Sequence, residues 1–156
     1  MKKIILATIL YCATQYSINA QEATFNSVDF ANAYFKAWNK TQMPKASEKD
    51  LENFLALLTD DVALQHLPYQ KNDEREPNGK ETLRKGMSRW RGANTSYKAR
   101  LLEINHGHNV IVLKYQAIMT IIDEKTEKER TITRNNIEVL ELDKGKVAII
   151  RKYGKY

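Results

Sequence analysis

Three histidines, His66, His106 and His108, are the side chains in this sequence best suited to hold a metal or to move a proton near neutral pH. His106 and His108 alternate, which places both rings on one side of an extended backbone, and His66 would supply a third ligand. Gly107 and Asn109 instead mark that stretch as a hairpin turn far from any pocket, so no metal is expected. Ser88-Arg89-Trp90-Arg91-Gly92 interleaves basic and aromatic residues and, with Lys80, Arg84 and Lys85, makes one helix basic, as a nucleic-acid footprint would. The plainer reading is a solvated helix face with Trp90 turned inward, and Arg89 or Arg91 available to an acidic ligand at a pocket rim. No phosphate loop and no nucleophile elbow occur.

The single cysteine, Cys12, belongs to a leading segment with a different use. Met1-Lys2-Lys3 precedes an apolar run over residues 4–13 and a polar stretch that ends at Ala20, the pattern of a secretory signal peptide. An apolar run of about ten residues is half of the ~20 that span a bilayer, so no stable membrane insertion is expected after cleavage. Tyr11 before Cys12 argues against lipid attachment. Cleavage after Ala20 would leave one exported domain, residues 21–156, periplasmic or secreted and free of cysteine. Losing Lys2 and Lys3 would lower the net charge from +6 to +4, which is no argument for a nucleic-acid partner.

The 156 residues suffice for one core, and a hydrophobic content of 42% excludes disorder. From Ser27, a plausible N-cap, residues Phe30, Ala33, Tyr34, Ala37 and Trp38 form one helical stripe. Ser47 to Asp50 resembles a capping box, and Leu51, Phe54, Leu55 and Leu58 continue a second helix to about Thr59-Asp60. A short strand over residues 62–67 and a polar loop over 68–79 precede a third helix carrying Leu83, Met87 and Trp90, which Gly92 stops. Beyond Asn94 the β-branched and aromatic pattern predicts strands over 97–105, 110–122, about 130–142 and 147–153, joined by turns as an antiparallel meander. Helices followed by strands make an α+β layout.

Tyr34-Phe35-Lys36-Ala37-Trp38-Asn39, the Leu57-Leu58-Thr59-Asp60-Asp61-Val62 junction, Gly79-Lys80-Glu81 and the Leu142-Asp143-Lys144-Gly145-Lys146-Val147 turn together resemble the nuclear transport factor 2-like superfamily. Its SnoaL-like and ketosteroid isomerase-like branches are the most similar. The resemblance implies a cone: a curved antiparallel sheet wrapped around three N-terminal helices, with an interior pocket. It implies no cofactor, and it implies a homodimer through the outer sheet face, as relatives often form. Activities in the superfamily range from isomerases, cyclases and dehydratases to noncatalytic binders, so fold does not give function.

Carried over by position, the isomerase branch implies Tyr34 as an oxyanion donor, His66 in place of the acidic base, and Glu138 in place of a second, protonated donor. A histidine suits proton abstraction beside a carbonyl, whereas Glu138 would donate only in an apolar surrounding. The plainer readings are a core tyrosine and a histidine bonded to a backbone carbonyl. Glu138 depends on strand parity: either Asn136, Glu138, Leu140 and Leu142 face the interior, or Ile137, Val139 and Glu141 do, and the default leaves Glu138 solvated. Trp38, Trp90, Tyr115, Met119 and Asn136 are the candidate pocket lining. The expected partner is a small apolar or amphipathic molecule, bound with or without catalysis.

Overall fold

The computed structural model describes residues 25–69, 74–123 and 125–154, and the expected export signal lies outside them. The order is α1 (Ser27–Gln42), α2 (Glu48–Leu55), β1 (Leu58–Leu67), α3 (Gly79–Trp90), β2 (Asn94–Gly107), β3 (Val110–Ile122), β4 (Glu129–Asp143) and β5 (Lys146–Gly154).

Asn26, not Ser27, caps α1, because only the residue before the first helical one aims its side chain at the free amides; its Oδ1 accepts from Val28 N at 3.0 Å and Asp29 N at 3.1 Å. At α2 the capping box forms: Asp50 N donates to Ser47 Oγ at 3.2 Å and Ser47 N to Asp50 Oδ2 at 2.8 Å. This helix stops at Leu55, before the expected Thr59-Asp60, since the sheet claims the residues that follow. Val147 N donates to Leu57 O at 3.0 Å, and Leu58 pairs with Val147.

Strands β2 to β5 form the expected antiparallel meander, with Lys144-Gly145 (φ 50° and 76°) closing the last hairpin as a two-residue turn. The departure is β1. It joins the sheet edge parallel to β5, giving the order β1-β5-β4-β3-β2 and a mixed, curved, unclosed sheet. Parallel pairing is possible because α3 and the whole meander intervene between the two strands. Bulges in β1, β2 and β5 add to the curvature. The core joins Tyr34 and Phe35 of α1 and Leu51, Phe54 and Leu55 of α2 to Ile111, Leu113, Leu140, Val147 and Ile150 of the sheet. Each such side chain contributes about 1.5–3 kcal/mol by leaving water.

Helix α3 buries no residue. Leu83 and Met87 pack against the edge of the core, and ion pairs add to the hold: Arg84 grips Glu52 through Nε (2.7 Å) and Nη2 (2.9 Å) and reaches Glu81, Lys80 meets Asp60 at 2.7 Å, and Arg91 pairs with Glu48. The basic face of α3 thus meets acidic groups of the same domain. Its first turn rests directly on β1, where a Cβ at Gly79 would lie 2.2 Å from Val62 O. Trp90, at the opposite end of α3 from that turn, is 72% exposed rather than turned into the core.

The register of β4 with β5 decides the parity. Leu140 faces Ile150 and Glu138 faces Lys152, so Asn136, Glu138 and Leu140 point inward. Glu138 is 1% exposed, against the default that leaves it solvated; a cation and two phenols compensate its charge there.

Candidate functional site

Between α3, α1 and the concave face of the sheet lies a cavity of about 810 Å³. Its apolar wall combines Phe54 of α2, Leu83 and Met87 of α3, Ala117 and Met119 of β3 and Ile150 of β5. Leu83 and Met87 follow the helical stripe and pack against the edge of the core, yet they stay half-buried because they also face this space. All five candidate lining residues, Trp38, Trp90, Tyr115, Met119 and Asn136, border the cavity, and so does His66.

Tyr34 and Glu138 come together but do not line the cavity; they lie behind its wall. Tyr34 Oη donates to Glu138 Oε2 at 3.1 Å, Tyr115 Oη to Oε1 at 2.6 Å, and Lys152 Nζ lies 3.0 Å from Oε1. Three donors thus converge on one carboxylate. The role expected for Glu138, a protonated donor into the pocket, does not match this arrangement, in which it accepts. Burial pushes the Tyr34 and Tyr115 phenols well above their ordinary pKa, and the Glu138 charge pushes in the same direction. Both therefore stay protonated and able to donate.

Two members of this cluster border the cavity, Tyr115 and Lys152, and Lys152 is the one that positional reasoning missed. Its Nζ stands 3.4 Å from the centre of the Trp38 ring, a cation–π contact, and its side chain is 15% exposed. The β5 alternation Ala148, Ile150, Lys152 is the signal that places it on the inner face once Ile150 is taken as core. His66 of β1 sits directly opposite Lys152, and Glu138 of β4 opposite it on the other side, so the three form one row across the sheet. The indole N–H of Trp38 is buried and tempers the upward push on the Tyr97 and Tyr115 phenols, but it meets the geometry of a hydrogen bond with neither. Tyr97 Oη lies 3.4 Å from Asn39 Oδ1.

His106 and His108 lie at the β2–β3 turn. Among the described residues no group of three or more His, Cys, Asp or Glu is placed to hold a metal ion. No described helix is long and apolar enough to cross a membrane.

A family model described as SnoaL-like domain matches residues 31–150. Among solved structures, the chain is similar to a putative SnoaL-like polyketide cyclase from Shewanella putrefaciens CN-32 (13% identity, TM-score 0.64, covering 83% of this chain and 89% of that one). It is also similar to an LEH-like epoxide hydrolase from M. tuberculosis (14%, 0.59, 81% and 84%) and to AclR, a putative hydroxylase from Streptomyces galilaeus (14%, 0.60, 82% and 77%). At such identities the likeness is one of fold. No curated protein matches.

Proposed function

The chain belongs to the SnoaL-like domain family, and on that premise we propose that it is an exported, cofactor-independent protein whose cavity binds a small, largely apolar molecule. The observation that carries this reading is the α3 wall: an amphipathic helix presents Leu83 and Met87 to 810 Å³ of space, within the usual range for ligand pockets. The export half rests on the first twenty residues. Mass spectrometry of the protein recovered from outside the cytoplasm should find Gln21 as the first residue.

Binding is tested by thermal shift with a panel of apolar compounds, set against a variant that fills the cavity. Gly86 borders the cavity and a Cβ there meets nothing within 4 Å, so Gly86→Leu occupies the space without a clash at its root. At least one compound should raise the Tm of the unaltered protein and not that of Gly86→Leu; equal shifts in both, or none, would refute the reading.

A catalytic reading of the isomerase, cyclase or dehydratase kind is favoured by one observation, His66 on the cavity wall opposite Lys152. His66 then acts as the base, with Tyr34 and Glu138 acting through Tyr115 and Lys152 rather than on the substrate. A bound ketone such as 2-acetonaphthone should exchange its α-protons for solvent deuterium, by NMR, and His66→Asn should abolish the exchange. The partner that best fits the outer sheet face is a second copy, since Leu102, Ile118, Ile137 and Tyr153 are 39–50% exposed.

A further inference from the structure

From the orientation of the buried ion pair we infer that the molecule held in the cavity is an amphipathic acid: an apolar body that lies against the α3 wall, with one carboxylate anchored on Lys152. The inference rests on the reading of the cavity as a small-molecule site. Glu138 and Lys152 are partners, but they do not present themselves equally. Lys152 borders the cavity, whereas Glu138 is 1% exposed and lies behind it. Both Glu138 oxygens are already engaged, Oε2 by Tyr34 at 3.1 Å and Oε1 by Tyr115 at 2.6 Å as well as by Lys152 at 3.0 Å. The negative end of the pair is therefore covered by protein donors, and the positive end faces the space.

An ammonium carries three donors and no acceptor, and a carboxylate is the complementary group, acceptor-only and charged. Glu138 takes one of those donors, and the Trp38 ring covers one side of the cation at 3.4 Å. The remaining donors need oxygen lone pairs. When a ligand carboxylate takes them, Lys152 is shared between two carboxylates, and Glu138 keeps both phenols, so its charge stays solvated by the protein. The Lys152 side chain is largely withdrawn from water, which lowers the local dielectric and strengthens the pairing beyond that of a surface lysine. The cavity wall gives the rest of the ligand mostly apolar surface, Phe54, Leu83, Met87 and Met119 among it, which sets its apolar body.

Two probes of nearly equal shape separate charge from shape: 2-naphthoate and 2-acetonaphthone, in which a methyl group replaces one carboxylate oxygen. Calorimetric titration of the full domain at pH 7 should give 2-naphthoate about tenfold tighter binding than the ketone, in line with a charge-assisted hydrogen bond. Lys152→Met should abolish that preference while keeping the ketone affinity within about threefold. Because Lys152→Met leaves Glu138 buried without its cation, the double variant Glu138→Gln/Lys152→Met, which removes both charges, is measured beside it. It should show the same loss of preference. Equal binding of the two probes to the unaltered protein, or a preference for the acid that survives in the double variant, overturns the inference and leaves the cavity reading standing. Binding of neither probe overturns both.

Discussion

Removing either charge of the Glu138 and Lys152 pair leaves the other without its counter-ion, and the loss of one partner from a buried pair costs about 3–5 kcal/mol. Glu138→Ala should lower the unfolding free energy by that amount in urea titration; a loss under about 1 kcal/mol would mean that Lys152 escapes to water. The phenols give a second prediction at this scale. Burial and the Glu138 charge raise Tyr34 and Tyr115, so the folded state resists their ionisation. A raised acid contributes stability that is complete below its unfolded pKa, about 10, and is lost as pH climbs above that value. Absorbance at 295 nm should show Tyr34 and Tyr115 ionising only together with alkaline unfolding. Ionisation of Tyr34 and Tyr115 in a protein that stays folded would contradict it.

Helix α3 supplies opposite expectations from two glycines. Gly79→Ala places a Cβ 2.2 Å from the Val62 carbonyl and should cost about 1–3 kcal/mol, because that oxygen belongs to a paired strand and cannot retreat. Gly86→Ala meets open space and should gain about 0.5–1 kcal/mol from helix propensity. Melting temperatures of the two variants check both signs. The elements that sequence reading located are those whose signals are local: the Phe30 to Trp38 stripe, the Ser47 and Asp50 box, and the hairpin turns at Asn109 and Gly145. The pairing of β1 with β5 was not legible, because nothing near Leu64 announces Ile150 as its neighbour. The same gap hid the site. Glu138 and Lys152 sit in mixed strands whose inward row is settled only by register across the sheet, so Glu138 reads as a surface acid and Lys152 attracts no notice. The cavity lining was more legible, since Tyr115 and Met119 share the clean apolar face of β3.

For the whole molecule, the exposed Ile137 faces the exposed Tyr153 across β4 and β5, and Leu102 borders the same groove. If a second copy covers this face, multi-angle light scattering should report twice the mass of the folded chain, and Ile137→Lys should return it to one. A single-copy mass for the unaltered protein would refute the dimer. The parallel edge has a consequence for how the domain comes into being. Strand β5 separates β1 from β2, β3 and β4, so a chain still being made holds β1 with no strand to pair with until β5 emerges. Leu51, Phe54, Leu55 and Leu58 meanwhile stay solvent-exposed and sticky, a risk of aggregation that grows with the delay. Seating of β1 thus waits for β5, and a ribosome stalled before residue 147 would yield a client for chaperones rather than a smaller domain.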